Sequence, residues 1–382
     1  MKLILFVLLA LVSAQSLQAQ TQSLLSVYRF SNRDSPGPVE TQKCLDGQEP
    51  SDVGKSASIV LGIQVWATVL PDSFSKGPLL AYCRTAPKSH AEAEGLALKD
   101  LHDKQFPTDS PLILWGEAFK YGDGVVVKTY LTVFREGAGK IGSQIWKISV
   151  RSGQERHTVA VDIPAWTYEF TPIVLGQDLP LETDEPTKYP VYKNPDGKKK
   201  LGVLGWAFTV EGRTGDYIVV SLPVKGTNQS QKGYVYAPVK SQKTNEVISF
   251  CSAVIRVFNQ DWSGAVKLFE NVVKYTDSPT TIRINAYLYM AIAREKKGDQ
   301  KQSLALIESA YRLNPYDKVT VQYLCMSYLS RLARLSEKDA KGDQGRPIIK
   351  SIQDLVSKND VLFSPEDPWL NQVREILASL GR

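Results

Sequence analysis

Two stretches in the C-terminal third can be laid over one another, and they constrain the fold more than any other feature. NQDWSGAVKLFENVVKYTDSP (259–279) and KGDQKQSLALIESAYRLNPYD (297–317) each open with a turn and continue as a helix with small and large apolar residues in fixed places. The first carries Trp262, Ala265 and Phe269. The second carries Gly298, Ser303, Ile307, Ala310 and Pro315, preceded by Tyr287 and Ala291. A helical pair of this kind cannot bury its apolar face alone, so neighbouring copies must stack. Ala253, Ala291 and Cys325 take the same place in three successive copies, with the regular spacing between the last two and a short insertion between the first two. A small residue belongs where two helices cross closely, so Cys325 is expected to be a buried small hydrophobe and not a nucleophile. Two further amphipathic helices, through Ile348, Ile349, Ile352, Leu355 and Val356 and through Val373, Ile376, Leu377 and Leu380, are expected to cap the stack.

These offsets resemble the tetratricopeptide pattern of paired helices with a proline after the second. The resemblance implies an all-α repeat domain over residues 244–382. In that family the first helix of each repeat lines a concave binding face. The resemblance therefore places Phe250, Val254, Leu288, Ile292, Gln322 and Met326 on a surface for a protein or peptide partner. These positions are mostly apolar, which implies a partner with an apolar helix or strand, unless the capping helices cover them.

Ahead of the repeats the period changes. Residues 189–240 hold four or five short strands separated by turn residues: YPVYKNPDGKKKLGVL, AFTVEG, DYIVVSL and GYVYAPV. So many short strands in so few residues are expected to curl into a small barrel. Tyr234 and Tyr236 alternate with Val235, so both tyrosines point away from the barrel if Val235 points in. The order of elements resembles the bacterial SH3-like domain, with Asp216-Tyr217-Ile218-Val219-Val220 and Gly233-Tyr234-Val235 standing where that family has tryptophan-bearing strands. The resemblance implies an SH3-like β barrel over 186–242 and a groove for cell-wall peptides, lined by Tyr192, Trp206, Tyr217, Tyr234 and Tyr236. The alternative is that these tyrosines cover an adjoining domain. Lys198-Lys199-Lys200 is the tightest basic cluster and reads as a solvated turn.

The segment 20–175 reads as a mixed α/β domain. Ile59–Val69 is a strand candidate. Ala93, Leu96, Ala97 and Leu101 fall at helical spacing. LILWGEAFK and VVVKTYLTVF flank Tyr-Gly-Asp-Gly, an antiparallel hairpin signal, and IWKISV and TVAVDI add strands. Residues 176–188, GQDLPLETDEPTK, read as a linker. The fold class expected is thus multidomain α+β. Residues 1–19, with Lys2 ahead of the apolar run Leu3–Val12 and small residues at Ala14 and Ala19, read as a signal peptide. The mature chain is expected to be exported, periplasmic or extracellular, without a membrane span. Export permits disulfides. Of the 4 cysteines, Cys44 and Cys83 are expected to pair, and Cys251 and Cys325 to stay free.

Hydrophobic content of 43% and charged content of 23% are globular values. A net charge of +6 is spread along the chain, and with export it excludes nucleic acid as an expected partner. The 3 histidines, His90, His102 and His157, form no ligand or triad spacing, and no phosphate loop or nucleophile elbow occurs. No enzyme, metal or cofactor is expected. The function expected is a non-enzymatic envelope scaffold or adaptor acting through the repeats. The alternative is peptidoglycan binding through the SH3-like segment, and an enzyme hidden in the N-terminal domain comes last.

Overall fold

The computed structural model describes residues 24–34, 52–69, 79–81, 85–102, 110–122, 124–141, 145–152, 155–175, 189–204, 208–224, 229–237, 246–275 and 277–380. The signal-peptide, Cys44–Cys83, linker and Trp206 expectations fall outside these residues. The chain is mixed α+β and divides into two compact units. One holds residues up to Gly139 together with Thr167–Phe258, and the other holds Lys140–Trp166 together with Asn259–Arg382.

The first unit is built on a seven-stranded sheet. Strands β1 (Leu25–Tyr28), β2 (Ser31–Asn32) and β3 (Leu79–Ala81) join β4 (Leu112–Tyr121) and β5 (Gly124–Val133). The order is β3-β1-β4-β5-β8, where β8 is Thr167–Glu169; β2 also pairs β4, and β9 (Ile173–Leu175) also pairs β5. β1 runs parallel to β3 and β4, and β4–β5 is the hairpin read from the sequence. Its turn begins at Gly122, whose φ of +57 suits a residue without Cβ. Helix α2 (His90–Leu101) packs Ala93 and Ala97 on Tyr28, Ile113 and Trp115, one face of this sheet.

The other face meets helix α1 (Val53–Val69). Phe30 reaches both sides of that contact: a Cβ on Gly116 of β4 would meet its ring at 2.7 Å, and one on Gly54 of α1 would meet its carbonyl oxygen at 2.0 Å. Here the sequence reading needs correction, because Ile59–Val69 is the second half of a helix and not a strand. The helix is buried on nearly all sides, from Gly54 to Ala67. A helix buried all round has no polar stripe, so the period that marks an amphipathic helix is missing. Its second neighbour is helix α4 (Glu246–Phe258), every residue of which is buried. α4 also presses Phe250 against the rings of Tyr168 and Phe170 at 4.8 and 5.5 Å.

Its third neighbour is a five-stranded antiparallel sheet, β10 (Pro190–Tyr192), β11 (Lys200–Val203), β12 (Thr209–Thr214), β13 (Tyr217–Pro223) and β14 (Ser230–Tyr236), in the order β11-β10-β14-β13-β12. Among the described residues the two outer strands, β11 and β12, do not pair, so the barrel expected for 186–242 is an open sheet. Helix α1 lies against its β12–β13 side. Trp66 stacks edge-on against Phe208 at 5.2 Å, and the Arg213 guanidinium donates to the Ala67 carbonyl at 2.6 Å.

The second unit contains a two-stranded sheet, β6 (Trp146–Ser152) and β7 (Glu155–Val161), and a run of helices. These are α5 (Trp262–Lys274), α6 (Thr280–Lys296), α7 (Gln300–Leu313), α8 (Lys318–Ala333), α9 (Glu337–Lys341), α10 (Gly345–Lys358) and α11 (Pro368–Leu380). A short helix α3 (Arg135–Ile141) leads into the unit. Consecutive helices α5 to α8 pack as neighbours, α10 follows on α8, and the hairpin lies on α8 and α11. Asp261, Asp299 and Asp317 cap α5, α7 and α8, each accepting from the amide three residues on. The residues before the first two caps, Gln260 and Gly298, both have positive φ, +60 and +82. The aligned stretches therefore share a turn geometry as well as a pattern. Ala291, Ile307, Ala310 and Cys325 are fully buried, as their alignment demands. One aspect of the alignment is redistributed: α4, aligned as the first helix of the first copy, sits in the first unit against α1.

A candidate binding face on the five-stranded sheet

Strand alternation decides what each face of the small sheet carries. Val191, Ile218, Val220 and Val235 are buried and pair across β10, β13 and β14. Gly233 belongs to this inner face, and a Cβ there would meet Val191 Cγ1 at 2.4 Å, so only glycine lets the strands close up. Opposite them, Tyr192 pairs with Tyr234, and Tyr217 pairs with Tyr236. The rings of Tyr217 and Tyr236 lie 5.1 Å apart, and those of Tyr192 and Tyr217 6.3 Å apart and perpendicular. All four tyrosines are half-buried. The groove residues read from the sequence therefore share one face, turned away from α1; Trp206 is outside the described residues.

The tyrosines do not stand alone on that face. Lys200 is the cross-strand partner of Tyr192. Lys232 lies two residues before Tyr234 on the same side of β14, opposite Ser221, and its ammonium is 3.9 Å from Glu211. The β10–β11 turn carries the exposed Lys198 and Lys199, and it folds over the tyrosines. At Gly197, with φ of +70, a Cβ would come within 2.9 Å of the Tyr217 hydroxyl. The lysine run is thus solvated, as read from the sequence, but it also borders an aromatic face. Lysine stems and tyrosine rings give apolar contact, and their tips give charge and hydrogen bonds. The sequence reading found the tyrosines and missed the lysines. The register Tyr192–Lys200 crosses a bulge between Val191 and Tyr192, and alternation alone does not reveal a bulge.

The helical positions are arranged differently. Phe250, Val254, Leu288, Ile292 and Met326 are buried, and Gln322 is half-buried. Phe250 spends its ring on Tyr168 and Phe170. The expected concave surface is packing in this structure. Its apolar character, which pointed to a partner, comes from burial within each unit.

Two sets of titratable groups sit in the core of the described residues. His90, at the start of α2, has Nδ1 2.6 Å from Thr167 Oγ1 and 3.3 Å from Thr132 Oγ1, with Nε2 3.5 Å from Glu94. Thr132 also accepts from Trp115 Nε1 at 3.0 Å, so these groups fasten α2 to β5 and β8. Cys251 and Cys325 are free and buried, and burial pushes both thiols far up, away from the reactive thiolate. Among the described residues no cluster of three or more His, Cys, Asp or Glu could hold a metal ion, and no helix is long and apolar enough to cross a membrane. No family model matches the chain, and no curated protein matches it.

Proposed function

We propose that the chain is a non-enzymatic exported binding protein whose tyrosine–lysine face receives a carboxylate-bearing peptide of the bacterial cell wall. The observation that carries this reading is the sorting of the small sheet. Its valine face is buried, and its other face gathers Tyr192, Tyr217, Tyr234 and Tyr236 with Lys200 and Lys232. Cell-wall stem peptides are short, extended and rich in carboxylates, so both the shape and the charge of the face suit them. Kinship with bacterial SH3-like domains belongs to this reading and rests on the Gly233-Tyr234-Val235 strand. Kinship of the second unit with tetratricopeptide repeats rests on the shared turns and small crossing residues.

Magnitudes assign the roles. An exposed lysine–carboxylate pair contributes about 0–1 kcal/mol, while each aromatic contact contributes about 0.5–1.5 kcal/mol beyond its area. The rings hold the ligand and the lysines set its direction. The scaffold reading, a protein partner held by the helical unit, loses its original surface because five of its six residues are buried.

The test is a fluorescence titration of the full chain with a short acidic peptide and with the same peptide amidated throughout. The acidic form is expected to bind, and Lys200→Gln with Lys232→Gln to weaken it roughly tenfold. Equal binding of the two forms, or no effect of the double variant, would contradict the proposal.

A further inference from the structure

The hairpin of the other unit has an open edge, and this edge is independent of the tyrosine face. Among the described residues β6 pairs only with β7. A cleft of about 280 Å³ lies between β6 and the C-terminal ends of α6 and α8, and four consecutive residues of β6, Trp146 to Ser149, line it. Successive side chains of a strand point to opposite faces, so a cleft that touches all four runs along the strand's edge. The side chains of Trp146 and Ile148 are buried in the core, Trp146 on the Tyr323 ring at 5.9 Å. What these two offer the cleft is main chain.

The edge has backbone groups to give. Only two residues, 153 and 154, separate the paired Ser152 and Glu155. A hairpin so tight requires that pair to exchange both of its backbone bonds. Alternation then turns Trp146, Ile148 and Val150 toward β7, and the N–H and C=O of Lys147, Ser149 and Arg151 away from it. Among the described residues the backbone of these three bonds nothing else. Such an edge is a template for a further strand.

Charge narrows the kind of strand. Lys147 and Arg151 stand exposed on one face of β6, and the exposed Arg156 of β7 lies directly opposite Arg151. Like charges directly opposite one another are destabilising. The one acid of the two strands, Glu155, points to the other face, where it lies 3.4 Å from the His157 ring. Lys296 adds a cation on the far wall. None of these four cations has an ion pair among the described residues. The carboxylate of the cleft, Glu295, is only 10% exposed and accepts from the Ser330 hydroxyl and, at 3.2 Å, from the Arg334 guanidinium. It leaves the positive excess in place.

We infer that the β6 edge takes an extended acidic segment of a partner protein as a third strand of this sheet. The backbone of Lys147, Ser149 and Arg151 pairs with the main chain of the segment, and Lys147, Arg151, Arg156 and Lys296 face its carboxylates. Charge alone would suit any anion. The unpaired edge calls for a peptide.

Fluorescence anisotropy tests this with dye-labelled acetyl-Glu-Thr-Glu-Thr-Glu-Thr-amide. It is titrated with the full chain carrying Lys200→Gln and Lys232→Gln, so that the tyrosine face does not contribute. The acidic peptide is expected to bind. The same peptide with every amide N-methylated keeps its charge and loses its donors, and it should bind roughly tenfold more weakly or worse. Ser149→Pro removes one outward N–H and no bond to β7, so binding should fall roughly tenfold while the melting temperature holds. Lys147→Gln with Arg151→Gln changes two exposed side chains and should weaken binding by a similar factor. The inference is overturned if the acidic peptide does not bind, if the N-methylated peptide binds as well, or if either added variant binds like its parent. Should Ser149→Pro fail to fold, the N-methylated peptide still decides. The tyrosine-face proposal would survive these outcomes, since its lysines are already replaced in that chain.

Discussion

Asp367 shows how one side chain can hold a chain segment in place. It sits just ahead of α11 and accepts from the Leu370 amide at 3.1 Å and from the Lys318 ammonium at 2.7 Å. Burial alone would raise its pKa. The hydrogen bonds from Lys318 and from the amides of Leu370 and Trp369, with the lysine's charge, outweigh burial and hold it below the usual carboxylate range. A depressed carboxylate pKa stabilises the fold above the unfolded-state pKa of about 3.9, and that stabilisation is lost as pH falls through the folded pKa. Asp367→Asn keeps a capping oxygen but removes the charge. Its melting temperature should fall below that of the parent at neutral pH and converge on it as pH drops below about 4. A constant gap down to acid pH would show that the charge contributes nothing. Replacement by alanine should also remove the cap, at about 0.5–2 kcal/mol.

At the scale of elements, legibility followed periodicity. In the second unit, α5, α7, α10 and α11 carry apolar stripes and were readable, α6 and α8 were placed by the alignment, and the short α9 was not read. The β4–β5 hairpin announced itself through Tyr-Gly-Asp-Gly. Helix α1 did not, because Ile59 to Val69 are buried on every side and present no stripe. The β6–β7 hairpin was legible as two strands. Its position on α8, where Trp146 meets the Tyr323 ring at 5.9 Å and the Tyr323 hydroxyl donates to the Asp162 carbonyl at 2.6 Å, was not legible. An aromatic residue in a sequence does not say which partner it will meet. The shared face of the tyrosines was readable by alternation, while the helix that lies against β13 was hidden in the misread stretch. The register of the helix stack gives an element-scale prediction. Ala291 is fully buried in α6, so Ala291→Trp should overpack and destabilise by about 1–3 kcal/mol or more, against about 0.5 kcal/mol at a surface site. Chemical denaturation of the full chain measures it, and an unchanged midpoint would remove the basis for the alignment.

For the whole molecule, the units do not follow the segments that the sequence suggests. The five-stranded sheet and α4 belong with the N-terminal sheet, while β6–β7 belongs with the helices. The sheet of 186–242 is therefore not expected to fold alone. Cut out, it would expose Val191, Ile218, Val220 and Val235, and it would lose the bond from Arg213 to Ala67. A lone small open sheet with an uncovered apolar face is at best marginal. The isolated fragment should lack a cooperative melting transition by circular dichroism. A sharp transition would mean that α1 is dispensable to the sheet. The same packing sets the control for function, since the tyrosine face can be tested only where the valine side stays buried, in the full chain.

The most direct measurement is co-sedimentation of the full chain with purified peptidoglycan, comparing the parent with Tyr234→Ala combined with Tyr236→Ala. The melting profile of the double variant is recorded beside the parent's, so that pelleting is compared between folded proteins, and Lys200→Gln with Lys232→Gln serves as a second variant that leaves the rings in place. The account predicts that the parent pellets with the wall and that the variant stays largely in the supernatant, with binding weakened roughly tenfold or more. Equal pelleting of the two proteins, or a parent that does not pellet, would contradict it.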